Sequence, residues 1–279
     1  MNKKFPKVSI ITVTYNCHET IEQTIQNVLK QTYPNLEYIV IDGGSTDGTV
    51  EVINKYADRL AFWVSEPDKG IYDAMNKGTQ AATGEWVLFR YSGDFFFSPE
   101  TMMDVFRAYE DKGEEFIYGG MRLFTSNGYC DTLYQPQGTD IWRRAYFPHP
   151  ATFIRRTTQL RIPYPTEFRV ASDYYFFQTL VLEGASYTVY NGIVTLFDNE
   201  TGISSTTFLG CKESTEILRR LGAPKEVVRR NQKDYFNFSI RAYILKQYKR
   251  LRRFIPKCGN GYIHPGWVKQ PKSVTLQDI

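Results

Sequence analysis

Three short polar clusters each close an apolar run: Thr14-Tyr15-Asn16, then Asp42-Gly43-Gly44-Ser45-Thr46-Asp47-Gly48-Thr49, then Ser92-Gly93-Asp94. They bring together a phenol ring, hydroxyls and carboxylates. A carboxylate can hold a hard cation through oxygen or move a proton. Asp47 or Thr46 reads as the N-cap of the helix that follows. Asp42, directly after the run LEYIVI, reads as functional. Asp94 stands too far ahead of Ser98-Pro99 to cap the helix starting there, so it too reads as functional.

The elements that must position these clusters follow from periodicity. Apolar, β-branched runs of strand length cover 8–15, 36–41, 60–65 and 86–91, and helical spacing covers 18–31, 49–56 and 71–82. Strands alternating with helices predict a parallel sheet with helices on both faces. In such a sheet ligands bind at the carboxyl ends of the strands, so Tyr15, Asp42 and Asp94 are expected on one rim, lining a single cleft. Past residue 98 the pattern changes. A helix over 99–109 is followed by antiparallel strands 116–124 and 129–134 around the turn signal Ser126-Asn127-Gly128. A short strand over 151–155, a helix over 173–183 stopped by Gly184, and a strand over 187–197 complete this half.

The run VSIITVTYN, then VIDGGSTDGT, SEPDKGIYDAMNKG, ATGEWVLF and SGD resembles the N-terminal half of the family 2 inverting glycosyltransferases of the GT-A fold, the bacterial polysaccharide-biosynthesis type. The likeness is dense over 7–100 and looser over 145–200. It implies a Rossmann-like α/β fold, a mostly parallel sheet flanked by helices. It also implies transfer of a hexosyl or N-acetylhexosaminyl group from a nucleotide-sugar, a UDP-sugar first, to an acceptor hydroxyl in cell-surface polysaccharide or glycolipid. On that resemblance Thr14, Tyr15 and Asn16 line the nucleoside site, with Tyr15 against the base and Asp42 accepting from the base N–H. Asp68, Lys69 and Asn76 face the donor sugar and its phosphates. Asp94 binds Mg²⁺ or Mn²⁺, with Ser92 and Gly93 beside it. Ser92 replaces the first Asp of the family's Asp-x-Asp motif. Asp173, in VASDY, is the general base, with Ser172 where the family commonly has Glu. His149, in FPHPATF, matches a family His near the sugar site, and Trp142, Arg143 and Arg144 precede it.

Residues 1–207 are therefore expected to form the catalytic domain, with a nucleotide-binding half over 1–98 and an acceptor half over 99–207. Residues 208–279 are expected to form a helical, basic extension. Residues 211–279 hold 16 Lys and Arg against 5 Asp and Glu, +11, while the first 210 residues carry −7. Within the extension Ile244, Tyr248, Leu251 and Ile255 share one helical face among Lys and Arg, so 241–255 reads as a basic amphipathic helix suited to an anionic membrane surface or to packing on the main domain. Cys17, Cys130, Cys211 and Cys258 show no C-x-x-C spacing, which argues against a zinc cluster. No signal-like or membrane-spanning run occurs, which suggests a cytoplasmic protein, peripheral on the inner face of the cell membrane through the tail. No nucleic-acid recognition module accompanies the basic charge. Thr14 to His18 contains no Gly, against the phosphate loop of a nucleotidyltransferase or dehydrogenase. A catalytically idle nucleotide-sugar-binding protein of the same fold is the alternative that the Ser92 and Ser172 replacements leave open.

Overall fold

The structure, a computed structural model, describes residues 5–125, 128–133, 141–143, 147–198 and 207–233. Its parallel half consists of β1 (Val8–Thr14), β2 (Leu36–Asp42), β3 (Phe62–Ser65) and β4 (Trp86–Tyr91), in the spatial order β3-β2-β1-β4. The sheet continues through β8 (Thr152–Arg155), β6 (Phe116–Thr125), β9 (Tyr187–Asp198) and the two-residue β5 (Phe95–Phe96). β8 runs antiparallel to both β4 and β6, while β6 and β9 pair parallel. β7 (Gly128–Thr132) folds back on β6 as an antiparallel hairpin.

The strands are apolar almost throughout because both faces of the sheet are covered. Alternation along β1 divides its side chains between two cores. Ile11 and Val13 join Ile39, Ile41, Val87 and Phe89 under α3 (Ile71–Ala81) and α6 (Ser172–Glu183). Val8 and Ile10 join Tyr38, Val40, Trp86 and Leu88 under α1 (His18–Leu29), α2 (Thr49–Asn54) and α4 (Thr101–Ala108). Each such buried aliphatic side chain contributes roughly 1.5–3 kcal/mol relative to exposure. α3 lies close against β1. A Cβ at Gly78 would stand 2.4 Å from Ile11 Cγ2, so only glycine fits that contact.

The main differences from the periodicity lie at element ends. The helix expected over 49–56 stops at Asn54, and a 3₁₀ turn, Ala57–Arg59, follows it. The helix expected over 99–109 is confined to Thr101–Ala108. β5 and the short α5 (Arg156–Arg161) were not signalled by the sequence pattern. Beyond Asp198 the described chain resumes in α7 (Thr207–Arg220) and a further helical segment over 225–233. The turn residues Ser126 and Asn127, Arg144, and the 241–255 segment lie outside the described residues. No helix among the described residues is long and apolar enough to cross a membrane.

Candidate active site

Parallel register brings the polar strand ends into one row. Thr14 lies opposite Asp42, Asp42 opposite Ser65, and Tyr91 opposite Val13, so β3, β2, β1 and β4 end together. Thr14 is buried, and its Oγ1 has no hydrogen-bond partner among the described residues. Tyr15, one residue further, is 61% exposed. Asn16 takes the left-handed φ of 50°, which Asn tolerates better than most residues. Its Oδ1 accepts from Thr46 N and its own N–H donates to Ser45 Oγ, so Asn16 ties the first loop to the second.

Asp42 differs from the role expected of it. It is completely buried, and its carboxylate already organises the loop. Oδ2 accepts from Gly44 N, Ser45 N and Ser65 Oγ at 3.0, 2.8 and 2.6 Å, and Oδ1 accepts from Ser45 Oγ at 2.5 Å. In this arrangement Asp42 does not present an open oxygen to a base. Asp47 is not the N-cap of α2, which is Gly48; its Oδ1 accepts from Thr49 N and Thr49 Oγ1, and its Oδ2 accepts from His18 N, which ties α1 to α2.

Gly43 is where three loops meet. A Cβ there would lie 2.6 Å from Asp68 Oδ2 and 3.3 Å from the Tyr15 ring. Asp68 is half-buried, and its pKa is raised, by burial first and also by Asp73 and Asp42, against lowering by the Gly70 N–H and Lys77. Asp68 therefore stands beside Tyr15. Lys69 is exposed at the head of α3. Asn76 is corrected. Its Nδ2 donates to Tyr164 O at 2.8 Å and its Oδ1 accepts from Tyr164 N at 3.0 Å. Both ends of the amide are engaged by one backbone unit, so Asn76 braces α3 against the chain at Tyr164.

The second cluster centres on Tyr91. The turn after it is held to α1: Ser92 Oγ and Thr20 Oγ1 are 2.8 Å apart, and Gly93, at φ 101°, donates its N–H to Thr24 Oγ1 at 2.9 Å. Asp94 is buried at the end of this turn. Beneath it lies Arg90, wholly buried. Its Nη1 donates to Pro150 O and Thr195 Oγ1, and its guanidinium sits 3.9 Å over the Phe96 ring. Burial lowers the Arg90 pKa to about 10 while the Asp94 charge opposes the fall, so Arg90 remains cationic at neutral pH. A cation in the otherwise apolar strand WVLFRY was a legible signal, since Arg is almost never fully buried without a partner.

Asp173 lies in the first turn of α6, where the helix dipole favours negative charge. It is not the N-cap, which is Ala171. Its Oδ1 accepts from Tyr72 Oη at 3.0 Å and from Tyr174 N at 2.9 Å. Burial, then the Asp173 charge, then the Asp94 charge raise the Tyr91 pKa well above 10, so this phenol lies within the field of both carboxylates. Ser172 is turned inward, donating to Pro165 O at 2.5 Å. His149, expected near the sugar site, lies inside the protein. It is buried, stacked on Phe89, with Nδ1 3.1 Å from Tyr91 Oη and Nε2 2.7 Å from Tyr164 Oη. Both ring nitrogens are engaged inside the protein, and burial holds its pKa below 6.5, so the ring braces Tyr91 and Tyr164. Tyr72 and Tyr91 had no sequence signal as site residues, because tyrosine at helical or strand spacing reads as core, and Tyr164 lies in an irregular segment with no motif to mark it. Trp142 packs against the core beneath α6. Among the described residues no cluster of three or more His, Cys, Asp or Glu could hold a metal alone.

This curled, mostly parallel sheet matches two solved structures, whose identities bear on the fold alone. The first is Staphylococcus aureus TarS 1–349 in complex with UDP-GlcNAc, with a TM-score of 0.63 and 21% identity over 83% of this chain and 72% of that one. The second is the mannosyltransferase PcManGT of Pyrobaculum calidifontis in complex with GDP-Man and Mn²⁺, with a TM-score of 0.61 and 19% identity over 90% and 81%. The fold is that of the GT-A glycosyltransferases. The sequence narrows the class. The Glycosyl transferase family 2 model matches residues 9–174. An uncharacterized glycosyltransferase of Mycobacterium tuberculosis is 31% identical over 225 residues, 78% of this chain and 83% of its own length. The PGL/p-HBAD biosynthesis glycosyltransferase of Mycobacterium bovis is 30% identical over 77% and 84%. The chain belongs to glycosyl transferase family 2 and is a glycosyltransferase.

Proposed function

We propose that this enzyme transfers a sugar, with inversion, from a nucleotide-sugar donor, a UDP-sugar first, to an acceptor hydroxyl of a cell-surface polysaccharide or glycolipid. The supporting observation is the position of Tyr91, which lies opposite Val13 in the field of both Asp94 and Asp173, with the exposed Tyr15 two residues beyond Val13. TarS was crystallised with UDP-GlcNAc and PcManGT with GDP-Man, which supports the donor class while leaving the base to experiment.

Tyr15 stacks on the nucleobase, and the unpartnered Thr14 Oγ1 is available to a polar ligand atom. Lys69 brings a mobile positive charge to the phosphates. Asp173 takes the proton from the acceptor hydroxyl as that oxygen bonds to the anomeric carbon. The bond from the anomeric carbon to the diphosphate oxygen breaks, and its electron pair leaves on the nucleoside diphosphate. A base on one side and departure on the other give inversion in a single displacement. The donor set at Asp94, one carboxylate with a serine hydroxyl two residues before it, is hard oxygen throughout. That chemistry would suit a hard divalent cation such as Mg²⁺ or Mn²⁺. When bound, such a cation neutralises charge developing on the leaving diphosphate. Asp94 and Ser92 are the residues that would hold it. The 241–255 segment contacts the anionic inner face of the membrane on this reading.

A panel of UDP-, GDP- and dTDP-sugars, with and without Mg²⁺ or Mn²⁺, tests the reading by thermal unfolding and by release of nucleoside diphosphate. At least one donor should raise the unfolding temperature and be turned over. Stabilisation without turnover would favour the idle binding protein. No stabilisation by any donor would end both.

A further inference from the structure

A side-chain hydrogen bond joins Tyr72 to Asp173, 101 residues apart in the chain. Tyr72 stands in the first turn of α3, immediately after the loop that carries Asp68 and Lys69. Asp173 stands in the first turn of α6. The phenol is buried, and its ring packs on Tyr164 with centroids 5.4 Å apart, so the hydroxyl has little freedom to turn elsewhere. It donates to Oδ1 of Asp173, which also accepts the Tyr174 N–H. Among the described residues no donor reaches Oδ2. The carboxylate is therefore asymmetric, with one oxygen clamped by two donors and the other open.

We infer that Tyr72 is a positioning residue for the transfer reaction, pinning Oδ1 of Asp173 so that Oδ2 alone receives the acceptor's proton. The inference rests on the reading of Asp173 as the base. A carboxylate free to rotate would offer either oxygen in many orientations, whereas proton transfer needs the accepting atom held within hydrogen-bond reach of the hydroxyl. The titratable groups facing Asp173 are Tyr72 from α3, Tyr91 from β4, Tyr164 from the chain before α6, and His149. Burial keeps all four neutral near pH 7, with the tyrosine pKa values raised and that of His149 lowered. Tyr72 alone among them donates to Asp173.

The test compares Tyr72→Phe with Tyr164→Phe, which removes a hydroxyl from the same pocket that bonds His149 and not Asp173. Turnover is read as nucleoside diphosphate released with water as acceptor, from whichever donor of the panel binds best. Tyr72→Phe should lower kcat about tenfold and leave the donor Kd by calorimetry within twofold. It should also move the acid limb of the kcat–pH profile upward, because a lost hydrogen bond to the charged form raises a carboxylate pKa. In Tyr164→Phe the acid limb should stay where wild type has it. If the Tyr72→Phe limb coincides with wild type, the inference is overturned even if kcat falls, since a merely structural loss lowers the rate at every pH. Asp173→Asn separates the two levels. Full turnover in that variant removes the base reading itself, whereas loss of turnover with an unshifted Tyr72→Phe limb removes only the role given to Tyr72.

Discussion

At the residue scale, the difference between a polar side chain that faces a ligand and one that braces the fold lies in whether its hydrogen-bonding capacity is already met. Asn76 and His149 carry the right chemistry in the right stretch of chain, yet the backbone of Tyr164 and the phenols of Tyr91 and Tyr164 meet it internally. Asn76→Ala should therefore act on stability. Leaving the Tyr164 N–H and C=O unpaired should cost about 1–3 kcal/mol in urea unfolding, with the donor Kd nearly unchanged. A donor Kd raised tenfold at unchanged stability would restore Asn76 to the ligand. Asp173 makes the opposite prediction: Asp173→Asn should abolish nucleoside diphosphate release while donor-dependent stabilisation persists.

At the element scale, α3 is the piece on which most depends. Its first turn carries Tyr72, the loop before it carries Asp68 and Lys69, and its middle rests on β1 through Gly78. Gly78→Ala would press a methyl into Ile11 Cγ2 and lift the helix from the sheet. Overpacking of this kind costs about 1–3 kcal/mol. Because α3 would move as a unit, kcat should fall along with the unfolding midpoint. A variant of wild-type stability and activity would show that α3 is not seated as described.

At the scale of the whole molecule, charge is divided unevenly along the chain. At the rim opposite the site, Glu37 fastens β1, β2 and the turn before β4 by accepting from Lys7 Nζ, Ser9 Oγ and Thr83 N and Oγ1. Burial alone would raise its pKa, but these hydrogen bonds outweigh burial and hold it at about 2, against 4.5 for an ordinary glutamate. A folded pKa below the unfolded one gives stability that is present above pH 4.5 and lost as the pH falls towards 2. Glu37→Gln should flatten that stretch of the stability–pH curve, and an unchanged slope would refute the assignment. At the other extreme, the +11 of residues 211–279 predicts that the full chain cosediments with anionic lipid vesicles at low salt. A chain ending at residue 233 should stay in the supernatant. Equal sedimentation of both would remove the membrane role of 241–255.

The sequence by itself determined the class of fold and the family, because strand and helix periods, strand-end clusters and five ordered motifs are local features that survive without coordinates. Runs such as VSIITVTY are stable when covered on both faces, so their alternation with helical periods made the parallel half legible. Only the tertiary structure decided which polar residues remain available to a ligand. Asp42, Asn76 and His149 were assigned on the family resemblance, and each is engaged by groups distant in the chain or folded back from its own loop. Tyr72 and Tyr91 read as core, and long-range packing places their hydroxyls against Asp173 and His149. Hydrogen-bond satisfaction depends on neighbours that no local pattern encodes, which is why the site's membership had to wait for the fold.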